Sequence, residues 1–184
     1  MPRPAGVWGF VTSDSDHESF VYWGGVMTDT QQILEFLNSI ATKKEDRLDS
    51  SMETGTFVWG FKIQALDQLG LLLSQLKLRA KFVPSNSIAK QAEAISKKLT
   101  YLAEGFKLLE HDIGQQTLFL RSSATQQRND RAYYFEIVLK GGSELVLDHY
   151  EFDRASGQRR SSPANLSRDT FERLVQDLQT TFVQ

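Results

Sequence analysis

Along residues 87–111 the apolar positions Ile88, Ala92, Ile95, Leu99, Leu102, Phe106 and Leu109 recur at alternating spacings of four and three. That spacing lines one face of an α-helix, whereas a half-buried strand alternates at two. It predicts a rod of about 25 residues, roughly 37 Å long at 1.5 Å per residue. Ser85, Asn86 or Ser87 can cap its start, and Gly114 is placed to end it in a left-handed turn. Three shorter helices are expected around this rod. One follows the capping run Thr28-Asp29-Thr30 and buries Ile33, Leu34, Leu37, Ile40 and Ala41. A second carries Leu66, Leu69, Leu72, Leu73 and Leu76, with Gly70 weakening it. The last opens at Ser167, with Leu166 and Phe171 at staple spacing, and buries Phe171, Leu174, Val175, Leu178 and Phe182.

Runs rich in Val, Ile, Phe, Tyr and Trp read as strands. They are 6–12 (GVWGFVT), 19–27 (SFVYWGGVM), 56–64 (TFVWGFKIQ), 116–122, 131–140 and 144–153. The polar stretch 43–55 reads as a loop. Gly141-Gly142 marks a tight hairpin between the last two strands, and its length sets the register. A two-residue turn would put Val146 and Asp148 on the face of Phe135, Ile137 and Leu139; a three-residue turn puts Leu147 and His149 there. The second gives the better apolar match. The expected fold is α+β, a single domain over 1–184, with one antiparallel or mixed sheet packed on the long central helix.

The long helix could also form a dimer seam. Its flanking positions, Ala89, Ser96, Ala103 and Glu110 on one side and Gln91, Lys98 and Gly105 on the other, offer no complementary charge pairs, so packing on a sheet is the favoured role and a homodimer the alternative.

Charge and composition narrow the chemistry. The formal net charge is -2, so no global field draws the chain to nucleic acid or anionic lipid. With no cysteine there is no disulfide, no thiolate metal ligand and no cysteine nucleophile. Neither a signal-peptide core nor an apolar run of bilayer length occurs, so the expectation is a cytoplasmic protein with no membrane partner. No P-loop, GxGxxG, GxSxG or HExxH occurs, and no cofactor or metal is expected.

Two sets of side chains remain. Arg154, Arg159, Arg160 and Arg168 precede or open the last helix and could hold a phosphate at its N-terminus, with Tyr133, Tyr134 and Tyr150 nearby as stacking surfaces for nucleic acid. His149 and Glu151 share one strand face and could be the polar groups of a ligand pocket between sheet and long helix. Against both stands the reading favoured here, a non-catalytic interaction or accessory protein with a protein partner. Trp8, Trp23 and Trp59 are its expected contacts wherever they are exposed.

Overall fold

The strand runs from residue 57 onward join into one antiparallel sheet, because their Leu, Ile and Phe positions alternate and can all point to one side. The computed structural model describes residues 27–41, 48–124, 126–128 and 130–183. In chain order the elements are helix α1 (Asp29–Ala41), strands β1 (Leu48–Glu53), β2 (Phe57–Leu66) and β3 (Gly70–Ala80), and helix α2 (Ile88–Lys98), which runs into a 3-10 turn (Leu99–Tyr101). Strands β4 (Phe106–Asp112), β5 (Thr117–Ser122), β6 (Gln126–Arg128), β7 (Arg131–Lys140), β8 (Glu144–Asp153), β9 (Gln158–Ser161) and β10 (Ala164–Ser167) follow, then helix α3 (Arg168–Val183). The main path across the sheet is β1-β2-β3-β8-β7-β5-β4, with β10 on β3, β9 on β8 and β6 on β7. Every pairing is antiparallel, which makes the fold α+β.

The three helices lie on one face. Phe61 packs on Phe171 of α3 and on Phe36 of α1, and Phe57 packs on Phe182. Registers carry that face across the sheet, from Phe61 to Leu76, Leu147, Ile137 and Leu120 in turn. Polar side chains fix the helices to one another and to the β7–β8 turn. Thr30 donates to Gln179 Oε1 at 2.9 Å, Asn86 donates to the Thr181 carbonyl at 2.8 Å, and the buried Gln91 of α2 donates to the Gly142 carbonyl at 2.6 Å. Gly141 and Gly142 both have positive φ, and with Ser143 they make a three-residue turn that sets Ile137 opposite Leu147 and Phe135 opposite His149.

Two expected helices are different. The long rod ends at Lys98. Ser87 caps α2, accepting from the Lys90 N–H, but the chain then tightens at Leu99, turns at Gly105 (φ 149°) and leaves as strand β4. Ile95, Leu99, Leu102 and Phe106 are all buried, yet helix, turn and strand each supply part of that set. Ile95 and Leu99, on the stripe that a helical dimer seam would use, belong to the core. The expected helix over 66–76 is the β2–β3 hairpin. A bulge there leaves Gln64 and Ser74 without cross-strand partners, and the two bond to each other at 3.0 Å. Burial therefore passes from Leu71 and Leu73 to Leu76 and Leu78, and a gap of three imitates helical spacing. Gly70 is required for a different reason: a Cβ there would sit 2.5 Å from the Leu166 carbonyl oxygen of β10. The described residues thus hold three helices, with no central rod and no fourth. The expected 43–55 loop contains strand β1 with Leu48, Ser50 and Met52 turned inward. Strands β9 and β10 were unexpected. The expected strand over 6–12 and all of the expected strand 19–27 except Met27, which is not in a strand, lie outside the described residues.

Candidate functional site

Strand β8 leaves its neighbour β3 after the pair Gln75–Asp148, where Gln75 donates to Asp148 Oδ1 at 2.7 Å. The chain over 158–167 fills the resulting fork: β9 pairs with the rest of β8, and β10 pairs with the first half of β3. His149 holds the branch point. Its carbonyl accepts from the Ser162 N–H at 3.0 Å, and its Nδ1 lies 2.8 Å from the Ser162 carbonyl oxygen. A carbonyl only accepts, so Nδ1 carries the proton of a neutral ring. Tyr133 lies nearly parallel to that ring, and Phe135 meets it at 4.6 Å between centroids.

Two residues on, Glu151 is buried on the same side. Arg160 donates to it at 2.6 Å, Arg131 lies at 3.3 Å, and the Tyr133 hydroxyl also bonds to it. Burial pushes this carboxyl up, but the bonds from Arg160 and Tyr133 and the two guanidinium charges outweigh it and hold it below the usual glutamate range. Burial pulls His149 below the usual histidine range, and its bond to the Ser162 carbonyl opposes that only in part. The fold therefore favours the neutral imidazole. The stability it contributes is complete above about pH 6.5, where an unfolded histidine is neutral, and is lost as pH falls toward the lowered folded value. Denaturant unfolding at pH 7.5 and 5.5 should show wild type losing stability on acidification, and His149→Gln should lose less. Equal pH dependence in both proteins would remove His149 from the linkage.

The four arginines do not converge. Arg159 and Arg160 are adjacent in β9 and point to opposite faces: Arg159 donates to Glu136 Oε2 at 2.8 Å, and Arg160 donates to Glu151. Arg168, at the start of α3, donates to the Asp67 carbonyl through Nε at 3.0 Å and Nη2 at 2.7 Å. Arg154 lies in the β8–β9 turn, its N–H on the Asp130 carbonyl. The expected caps do form, since Thr170 N–H donates to Ser167 Oγ at 3.1 Å.

What the register assembles instead is a cluster on the opposite face of the sheet, which among the described residues carries no helix. Tyr134 and Tyr150 are cross-strand partners with ring centroids 6.0 Å apart. The Arg159 guanidinium covers Tyr150 at 4.2 Å, and the Arg121 guanidinium covers Tyr134 at 4.9 Å. Glu136 accepts from both arginines, at 2.7 Å from Arg121 Nη2 and 2.8 Å from Arg159 Nη1. The Glu136 side chain is only 17% exposed while those of Arg121 and Arg159 are 42% and 46% exposed, so water meets more of the arginines than of the glutamate between them. Lys77 and Arg79 of β3 are exposed on the same face, and Val138 and Val146 are half-buried between them and Phe119. Tyr133, the third stacking candidate, is on the helix side, in phase with Phe135, Ile137 and Leu139 as the hairpin register expects. The three-residue turn expected for the β7–β8 hairpin already sets Tyr134 opposite Tyr150, but Arg121 arrives through a β5–β7 pairing that no hairpin announces.

The other candidates are dispersed. Trp59 is fully buried, stacked on Phe61, and makes no surface contact. Trp8 and Trp23 lie outside the described residues. His111 is exposed on β4. A shallow depression lined by Ser85, Asn86, Lys90 and Ala94 is remote in sequence and in fold from His149 and Glu151. Among the described residues no three His, Asp or Glu side chains are grouped to hold a metal, and no helix is long and apolar enough to cross a membrane. No protein-family model matches this chain, and neither a curated protein nor a solved structure does.

Proposed function

We propose that this chain is a non-catalytic interaction protein that docks an acidic protein partner on the helix-free face of its sheet. The carrying observation is the Tyr134, Tyr150, Arg121 and Arg159 cluster, whose arginine side chains are nearly half exposed while the Glu136 side chain between them is mostly buried. Tyrosine and arginine beside aliphatic side chains are what the energetic centres of protein interfaces use. The buried titratable groups support the same reading. His149 has one nitrogen committed to Ser162 and Glu151 is ringed by donors, so both are spent in holding the fork rather than aimed into a ligand pocket.

Binding of nucleic acid or phosphate through Arg154, Arg159, Arg160 and Arg168 is the competing proposal. It is less favoured because three of these guanidiniums already carry an oxygen acceptor and two face away from each other. Base stacking on Tyr134 and Tyr150 is also obstructed, since arginine planes occupy their rings.

Affinity capture from the native cell with quantitative mass spectrometry tests the proposal. The protein recovered with wild type should fall about tenfold with Arg121→Ala plus Arg159→Ala, the loss of one interface hot spot. Glu93→Lys on the outer side of α2 should leave recovery unchanged. An unchanged profile for the open-face variant sinks the docking face. Nuclease-sensitive recovery of nucleic acid, lost in the same variant, supports the competing reading instead.

A further inference from the structure

Strand β4 closes one side of the sheet, and among the described residues no strand pairs with its outer edge. From Lys107 to His111 every side chain is exposed. Leu108 and Leu109 are 57% and 52% exposed at the middle of it. Natural edge strands usually blunt such a row of free N–H and C=O groups with charges or proline at the centre. Here the charges stand outside the leucines. The register with β5 skips Leu109, which therefore has no cross-strand partner within its own sheet.

The order Lys107-Leu108-Leu109-Glu110 is self-complementary when one strand is laid antiparallel against another copy of itself. A two-fold axis between Leu108 and Leu109 sets Lys107 opposite Glu110 and Leu108 opposite Leu109, each pair occurring twice. An isologous contact demands this reciprocity, because every patch must complement itself. Opposite charges and aliphatic pairs are the cross-strand neighbours that stabilise antiparallel strands. An unrelated apolar strand would satisfy the leucines but have no cause to match both charges. We propose that two copies of this chain pair through β4 across such an axis, with Lys107 of each opposite Glu110 of the other. The bulge at Leu109 keeps the contact short, confined to the four residues 107–110. This proposal is independent of the docking face, which is the flat side of the sheet rather than its edge.

Sedimentation velocity of the full chain over a concentration series tests it. Wild type should shift from monomer to dimer as concentration rises. Lys107→Glu alone places like charges opposite each other at both symmetric pairs, as does Glu110→Lys alone. Either should weaken dimerisation about tenfold, as two cross-strand pairs pass from attraction to repulsion. The double variant Lys107→Glu with Glu110→Lys should restore wild-type dimerisation, with all three variants unfolding at the wild-type temperature when monomeric. A monomer at every concentration overturns the proposal. So does a dimer indifferent to the single exchanges, which would lie elsewhere, or a double variant that fails to recover.

Discussion

Leu99→Ala lowers the free energy of unfolding by about 2–5 kcal/mol, the range for removing a leucine from a close-packed core. Leu99 is fully buried where α2 gives way to its 3-10 turn; its N–H still donates to the Ile95 carbonyl, and its own carbonyl accepts from Leu102. The side chain thus closes the helix and seals the end of the core at once. For a chain of this size each kcal/mol moves the melting temperature by about 2–4 °C, so the loss is easily measured. The informative control is Leu109→Ala in the monomer. On a continuous helix Leu109 would lie on the same buried stripe and cost as much. Half-exposed on strand β4, it should cost no more than about 0.5 kcal/mol. Equal losses at the two positions would restore the rod; no loss at Leu99 would take it out of the core.

That contrast shows where sequence and fold part. The β7–β8 hairpin was legible because a register error of one residue would have put Leu145 and Leu147 in water and Val146 and Asp148 in the core, a difference the pattern displays. The last helix was legible because Ser167, Leu166 and Phe171 sit at cap and staple positions. Over 66–76 the same logic misled. A bulge is one residue inserted into a period of two, and it produces a spacing of three that is indistinguishable in sequence from a helical step. At 102–109 the stripe was interrupted by a single glycine, Gly105, whose positive φ no neighbouring residue signals. Strands β1 and β9 are short and polar, and β10 has only Ala164 and Leu166 to bury, so all three leave little trace in hydrophobicity.

The site was legible to the same degree. Alternation alone puts His149 and Glu151 on one face, and the structure keeps them there. Their role as the clasp of a fork depends on Ser162, which reaches His149 only because β9 and β10 insert between β8 and β3. Arg159 and Arg160 are neighbours in sequence, which alone suggests that they act together. In a strand, neighbours point apart, and one arginine goes to Glu136 on the open face while the other goes to Glu151 beneath it.

Gly70→Ala tests the insertion itself and is expected to cost about 1–3 kcal/mol, toward the upper end of what overpacking causes. The reason is the nature of the obstacle. The added methyl would meet the Leu166 carbonyl oxygen at 2.5 Å and lie 3.5 Å from the Ser167 Cα, all backbone with no rotamer to yield. Relief requires β10 to move away from β3, and several bonds resist that movement together. Asp67 Oδ1 accepts from the Gly70 N–H at 2.8 Å, Arg168 N–H donates to the Leu69 carbonyl at 3.1 Å, and the Arg168 guanidinium clasps the Asp67 carbonyl. The substitution therefore strains the start of α3 and the chain that reaches back to His149. Hydrogen exchange should accelerate first at Leu71, Leu166 and Ser162 and leave the β7–β8 hairpin protected. Gly114→Ala is the control: its Cβ would meet only Asp112 Oδ1, at 3.4 Å and on the border of ordinary van der Waals contact, with no backbone in the way, so stability should change by no more than about 0.5 kcal/mol. If Gly70→Ala unfolds at the wild-type denaturant midpoint with unchanged exchange at Leu166, β10 does not lie against β3 as described, and the fork that positions Arg159 on the open face loses its support.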